Sequence, residues 1–264
     1  MSVEVLVIGI GSGDPAHLTG EAVAAMRRAD VFLVADKGEV KGDLVTVRAD
    51  LCASVLGADG YRVVEVADPE RGPDAGRDTA AYTAAVRVWH AARAERYAEA
   101  IRAEVGTDGV VGFLVWGDPA IYDSTLRIVE AVAARGVDLT TTVIPGISSV
   151  QLLAARHRLV LNGIGHSIHL TTGRRLLAEY RPELGDVVVM LDGTLTCARL
   201  LADHPDLEIF WGAQLGLADE ALVAGPLAEV LDEIRRVRLR LRAERGWVMD
   251  TYLLRPRPAR VPPG

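Results

Sequence analysis

The sequence predicts an α/β protein with a mostly parallel sheet in its N-terminal half and a different, strand-richer pattern after it. Three observations predict this. Compact apolar runs in the first half are each followed by a Gly/Pro-rich loop and then by a segment with helical spacing. Near Leu161-Asn-Gly-Ile-Gly165 that alternation breaks, and strand-like runs dominate beyond it. The 264 residues, 50% of them hydrophobic, suffice for a large core but are short for more than two domains.

Val3–Ile8 is an apolar run that ends in Gly9-Ile-Gly-Ser-Gly-Asp-Pro15, the pattern of a buried strand entering a loop. Thr19 is placed to cap the following helix, with Glu21 in its first turn, and Val31–Ala35 is a second strand. Asp43–Leu56 reads as helix, Tyr61–Val66 as strand, and Asp68–Asp78 as a polar surface loop. Thr79–Glu104 lacks Gly and Pro and predicts one long helix, which leads to a strand at Val110–Val115. A helix over Ser124–Ala134, with Leu126, Ile128, Val129 and Val132 inward, precedes a strand at Leu139–Ile144 and a helix starting near Ile147. A domain boundary is expected at 156–166, giving domains over 1–156 and 167–254. The second half has strands at Ser167–Thr172, Asp186–Leu191, Leu207–Trp211, Ala221–Ala224 and Gly246–Leu254. Its helices lie at Leu195–Ala202 and Pro226–Arg245, the latter with Leu227, Val230, Leu231, Ile234, Val237 and Leu241 on one face. The Pro-rich tail, 255–264, is expected to fray.

Composition narrows the function classes. A balance of 29 Lys+Arg against 36 Asp+Glu gives a net charge of −7, which disfavours a nucleic-acid partner. Cys52 and Cys197 make no disulfide framework, and Cys and His are too scattered for a metal site, so no metal is expected and the chain reads as cytoplasmic. No run approaches the roughly 20 apolar residues of a membrane helix, and no signal peptide is visible.

Three loops, Gly9–Pro15, Trp116–Tyr122 and Pro145–Ser149, each follow directly on a predicted parallel strand. Ligands of open α/β sheets bind outside the carboxyl ends of the strands, so three such loops form candidates for one shared site. Gly11-Ser-Gly-Asp-Pro-Ala16 formally fits a dinucleotide fingerprint with Asp36 as its ribose-binding acid, which keeps an NAD-dependent oxidoreductase as the alternative. Against it, that fingerprint wants a helix to begin at the second Gly, whereas Asp14 and Pro15 intervene before the cap at Thr19.

Val7-Ile-Gly-Ile-Gly-Ser-Gly-Asp-Pro-Ala-His-Leu-Thr19, Trp116-Gly-Asp-Pro-Ala-Ile-Tyr122 and Val143-Ile-Pro-Gly-Ile-Ser-Ser149 resemble, in that order, the three N-terminal signatures of the tetrapyrrole methylases. The likeness covers essentially the whole chain. Asp36-Lys-Gly38, Trp116 in place of the usual Gly, Tyr122-Asp-Ser-Thr125, Val150–His157 and Thr171-Thr-Gly-Arg-Arg175 more narrowly resemble the deacetylating branch of that family in aerobic cobalamin biosynthesis. The chain departs from the general pattern at Ser12, where many members have Pro, and at Trp116.

The resemblance implies two α/β domains, the second with a mixed sheet, and a cleft between them that holds S-adenosylmethionine. It implies a homodimer acting on a small-molecule tetrapyrrole, with no nucleic acid or membrane partner. The activity implied is methylation of ring carbon C1 of precorrin-5 with loss of the acetyl group as acetate; methylation at another ring position is the alternative inside the family. Cofactor contacts carried over by motif are Trp116, Gly117, Asp118, Ile121, Tyr122, Ser148 and Ser149, with Met190, Leu191, Gly212, Ala213 and Leu227 in the second domain. Gly11, Ser12, Gly13, Asp14 and Arg174 are substrate contacts, and His157 is a further substrate-side candidate. Asp36 is the candidate base and Lys37 the candidate partner of a substrate carboxylate or acetyl oxygen; alternatively Asp36 is a loop acid answering Lys37 or Lys41. Asp118 reads either as a ribose or amino-group acceptor or as a turn cap before Pro119. Trp116 reads either as a stacking platform or as core packing.

Overall fold

Val3–Gly9 forms β1, whose residues from Val5 onward are all buried. In the computed structural model the described residues are 2–36, 42–57, 61–69 and 79–256, and of Asp36, 42–45 and 79–83 only the backbone is described. The chain divides into two compact units, Met1–Ser148 and Ser149–Gly264.

The first unit carries β1, β2 (Val31–Asp36), β3 (Arg62–Ala67), β4 (Val110–Val115) and β5 (Leu139–Ile144) in one parallel sheet of order β3-β2-β4-β1-β5. The helices are α1 (Gly20–Met26), α2 (Gly42–Leu56), α3 (Thr79–Glu104) and α4 (Thr125–Ala133). Parallel strands covered on both faces are apolar throughout rather than alternating, as β4 is and as β1 is beyond Glu4. On one face Val5, Val7, Leu33 and Phe113 pack against Tyr97 and Ile101 of α3 and Val129 of α4. On the other, Leu6, Ile8 and Phe32 pack against Met26 of α1 and Leu51 of α2. Thr19 caps α1 as its sequence position implies, its Oγ1 accepting from Ala22 N at 3.0 Å. From β2 the chain moves outward to β3, and from β4 it moves the opposite way to β5. The two exits diverge, which opens a crevice at the carboxyl ends of these neighbouring strands.

The second unit holds a mixed sheet of order β6-β7-β10-β8-β9, built from β6 (Ile168–Thr172), β7 (Asp186–Met190), β8 (Leu207–Ala213), β9 (Ala221–Pro226) and β10 (Asp250–Pro256). Only β6 and β7 run parallel. Its helices are α5 (Ser149–His157), α6 (Gly173–Glu179) and α7 (Leu227–Arg245), and Trp211 and Tyr252 are fully buried at its centre.

Several details differ from expectation, the unpredicted helix α6 among them. The helix expected near Ile147 starts at Ser149 and packs on β8, β9 and β10, so the division falls ahead of 156–166. Leu195–Ala202 is a 3-10 segment over Thr196–Ala202, and Leu195, in the left-handed region at φ 55°, stays outside it as its N-cap. Gly246 ends α7 with φ 78°, its N–H bonding Arg242 O, so the strand expected from Gly246 begins at Asp250. Arg255 and Pro256, assigned to the fraying tail, pair with Glu208 and Leu207 of β8, and Arg255 Nε donates to Asp186 Oδ1 at 2.6 Å. Residues 257–264 of that tail and 70–78 of the polar loop lie outside the described residues.

Candidate functional site

The strands β1, β4 and β5 end level with one another: Ile8 pairs with Leu114 and with Ile144. The three loops therefore emerge side by side in the first unit, and glycine lets their main chains touch. A Cβ on Gly9 would stand 2.6 Å from Gly146 N and 2.9 Å from Gly117 O, and one on Gly146 would stand 2.1 Å from Gly117 O. Gly11 and Gly117 form an antiparallel bridge, with N···O distances of 3.2 and 2.7 Å. Gly11, at φ 64°, and Gly117, at φ 65°, adopt the left-handed conformation that such a bridge uses here.

Asp118 fastens this cluster. Its Oδ2 accepts from Gly146 N at 2.9 Å and its Oδ1 from Ala120 N at 2.8 Å, so one carboxylate ties the second loop to the third. Each oxygen keeps a further acceptor direction. Ile121 closes the turn through its N–H to Asp118 O at 3.2 Å. Tyr122 follows at φ 50° with 46% of its surface exposed, a strained and open position at the loop tip. Ser148 is buried, 3% exposed.

Several predicted contacts have partners inside the protein. Ser12 Oγ meets His17 Nδ1 at 2.7 Å, and Asp14 caps a 3-10 turn at Pro15–His17 by accepting from Ala16 N. Gly13 lies against Trp116, where a Cβ would reach the far edge of the indole at 2.8 Å. The Arg48 guanidinium sits over the Trp116 ring, 5.1 Å from its centroid, so Trp116 stacks on protein groups. The dinucleotide alternative meets a geometric obstacle: α1 begins at Gly20, far past Gly13, and the Gly11 N–H is engaged by Gly117 O. Asp36 ends β2 opposite Ala67, with its side chain outside the described atoms, and Lys37 lies outside the described residues.

In the second unit Thr251 pairs with Met190 on one side and Gly212 on the other, and Asp250 pairs with Ala213. Four of the expected positions thus gather at one end of the sheet, with Leu191 following Met190 at φ 54° and 66% exposed. Ser149 Oγ lies 3.0 Å from Thr251 Oγ1, which joins the start of α5 to the same end. Leu227 is not part of this group. It follows Pro226, which pairs with Glu208 at the far end of β8, and its side chain is fully buried in the core. Gly212 is required by packing, since a Cβ there would stand 2.7 Å from Leu215 Cδ2. Arg174 is an exposed residue of α6, and His157 holds Trp211 O at 3.0 Å with its ring against Phe210, a structural role.

Beneath Leu191 lies a polar network that sequence inspection did not single out. Asp192, 3% exposed, accepts from Tyr252 Oη at 2.6 Å, from Thr196 N at 2.6 Å and from Thr196 Oγ1 at 2.9 Å. Arg238 donates to the Asp192 and Gly193 carbonyls at 3.0 Å each and pairs with Asp250 at 3.1 Å. Burial pushes the Asp250 carboxyl up to about 6 despite Arg238 and the Trp211 indole N–H. The signals for this network were Asp192-Gly193 directly after an apolar strand and an arginine set between Ile234 and Leu241 on the apolar face of α7.

Among the described residues no group of His, Cys, Asp or Glu is arranged to hold a metal, and no helix is long and apolar enough to cross a membrane. Within the first unit the groups present fit an S-adenosyl group in kind: the Asp118 carboxylate with spare acceptor directions and the main chains of the converging loops.

The family description Tetrapyrrole (Corrin/Porphyrin) Methylases matches residues 4–231. A precorrin-6A synthase [deacetylating] from Sinorhizobium sp is 45% identical over 253 residues, covering 96% of this chain and 95% of that one. The crystal structure of a cobalamin synthesis related protein (CobF) from Corynebacterium diphtheriae superposes with a TM-score of 0.81 at 37% identity, covering 97% and 99% of the two chains. A uroporphyrin-III C-methyl transferase from Thermus thermophilus, complexed with S-adenyl homocysteine, shares the fold at a TM-score of 0.58 and 20% identity, covering 95% and 91%. The order of the three strand-end loops, their convergence on one another and these similarities agree, and the chain belongs to the tetrapyrrole (corrin/porphyrin) methylase family.

Proposed function

We propose that the chain is an S-adenosylmethionine-dependent C-methyltransferase of cobalamin biosynthesis, a deacetylating precorrin-6A synthase that methylates C1 of precorrin-5 and releases acetate. The observation that carries this reading is the end-to-end 45% identity to the Sinorhizobium synthase, supported by the loop cluster fastened by Asp118. The cofactor, when bound, supplies an electrophilic methyl group that needs no metal. The residues proposed to hold it are Gly117, Asp118, Ile121, Tyr122 and Ser148 of the first unit and Ser149, Met190, Leu191, Gly212 and Ala213 of the second.

Deacetylation requires water to add to the acetyl carbonyl, after which the carbon–carbon bond breaks and its electrons pass into the macrocycle. Asp36 is the proposed base for that water, and Lys37 the proposed partner of the developing oxyanion. The ring carbon left electron-rich is the nucleophile for the methyl group, so the task of the residues that hold the cofactor is alignment. Homodimerisation and a cytoplasmic location, implied by the resemblance, belong to this proposal; sedimentation tests the first.

Calorimetric titration with S-adenosylhomocysteine, and separately with NAD, tests the cofactor class. S-adenosylhomocysteine is expected to bind and NAD to give no heat, with roughly tenfold weaker binding in Asp118→Ala, where Gly146 N loses its acceptor. Binding of NAD alone overturns the proposal and returns Gly11–Ala16 with Asp36 as a dinucleotide site.

A further inference from the structure

A cavity of about 140 Å³ opens in the first unit where the exits from β2 and β4 diverge, lined by residues of both strand ends and of α2, α3 and α4. We propose that this cavity is a carboxylate-binding subsite, with Arg48, Arg93 and the Trp116 indole N–H as its donors.

The lining is rich in donors. Arg48 reaches it from α2 and Arg93 from α3, while Asp123, from the turn before α4, is the one carboxylate among the described lining residues. That carboxylate is engaged locally, its Oδ1 accepting from Thr125 N at 2.6 Å. Arg93 is only 8% exposed and fixed from behind: Asp68, outside the lining, holds its Nε at 2.7 Å and its Nη2 at 3.2 Å, and Trp89 lies under the guanidinium at 4.3 Å. That pair leaves Nη1 out of its fork. Arg48 is anchored by Nε to Leu114 O at 3.1 Å and by its stacking on Trp116. Burial lowers its pKa to about 10, which still leaves it charged at neutral pH.

Trp116 supplies the second, independent observation. Its Nε1 is buried and has no hydrogen-bond acceptor, although its residue lines a cavity. Buried donors are nearly always satisfied in native proteins, so an orphan on a residue that stacks with Arg48 and shares this lining with Arg93 marks where an acceptor group belongs. The rest of the wall sets apolar Leu33, Phe113 and Ile128 beside Tyr97 and Thr125. Two oxygens for the donors and a short apolar stem for the wall describe a carboxylate of acetate size; a macrocycle is far too large to enter. Position agrees with this, since the divergent exits of β2 and β4 make the crevice where such sheets take ligands.

Two sources carry that chemistry: free acetate, as a reaction product, and a carboxylate side chain of a bound tetrapyrrole. The choice of source rests on the proposed function; the site itself does not. Full-length protein carrying ¹⁵N-indole label has four tryptophan resonances, and Trp116→Phe assigns the one of interest. Sodium acetate, sodium chloride at equal ionic strength, and uroporphyrin III are titrated separately. A saturable shift of the Trp116 resonance with acetate assigns the product, and one with uroporphyrin III alone assigns a substrate side chain. Arg93→Lys, which keeps a cation for Asp68 and loses the planar fork, is expected to weaken either response at least tenfold, while Arg235→Met on exposed α7 leaves it unchanged. A silent Trp116 resonance with both carboxylates, or the same shift with chloride, overturns the subsite. Methyl transfer by the same sample keeps the outcomes apart: turnover with a silent Trp116 refutes the subsite only, and a saturable shift without turnover refutes the proposed function only.

Discussion

Gly146→Ala is the substitution most sensitive to the way the three loops meet. The new Cβ would stand 2.1 Å from Gly117 O, whereas ordinary contact begins near 3.4 Å, so the two main chains must separate by about 1.3 Å. Gly9 blocks the other direction, its Cα and carbonyl carbon both 2.8 Å away. Overpacking costs about 1–3 kcal/mol when side chains can rotate aside. Here every obstacle is backbone, which puts the cost at about 3 kcal/mol. At about 2–4 °C per kcal/mol for a chain of this size, the unfolding midpoint falls by about 6–12 °C. The same displacement moves the Gly146 N–H off Asp118, so affinity for S-adenosylhomocysteine falls about tenfold or more. Scanning calorimetry and a ligand titration read both quantities. Gly20→Ala is the control, since its Cβ meets nothing within 4 Å. A Gly146→Ala protein that melts within 2 °C of the parent, on the scale of the roughly 0.5 kcal/mol expected of an indifferent substitution, and binds the ligand equally well would refute the convergence of the loops.

Other perturbations probe the rest of the framework. Asp192→Ala strands the Tyr252 hydroxyl and the Thr196 N–H in the core and is expected to cost about 3 kcal/mol, against about 1 kcal/mol for Tyr252→Phe, measured by urea unfolding. Thr251→Val removes the hydroxyl contact to Ser149 and is expected to cost about 1 kcal/mol while leaving the sheet intact by circular dichroism. Hydrogen bonds from Thr171, then Arg175 and His169, hold the Glu179 carboxyl down at about 2. A depressed acid stabilises the fold above its ordinary value of 4.5 and loses that contribution as pH falls from there towards 2. The stability gap between the parent and Glu179→Gln should therefore be full at pH 6 and shrink below about pH 4.5; a gap independent of pH would contradict the assignment.

How much of this was legible in the sequence depends on how local each signal is. Val110–Val115 and Thr79–Glu104 came out at their true bounds because an apolar run and an uninterrupted helix former are local facts. Gly9, Gly117 and Gly146 were visible as loop glycines, but that their backbones touch is a property of register between three strands, which no local pattern encodes. Asp118 stood out in the sequence as a loop acid, but its partner Gly146 N is 28 residues away and no local pattern points to it. Leu227 was carried over with Met190 and Gly212 by the resemblance, whereas antiparallel β8 and β9 put its neighbour Pro226 at the opposite end of the strand from Ala213, five register steps away. Short α6 escaped because seven residues span too few turns to show a period. The Asp192 network and the Arg48–Arg93 cavity are assembled from separate elements, so they became visible only with the fold.

The central claim is that one catalytic event removes an acetyl group and adds a methyl group. The most direct measurement incubates the purified protein with precorrin-5 and S-adenosylmethionine labelled in its methyl carbon, then quantifies acetate and labelled macrocycle together. Acetate and incorporated label in equal amounts, both lost without the cofactor, are the expected result. Label incorporated without acetate would assign a methylase of another ring position, and neither product would contradict the proposed activity outright.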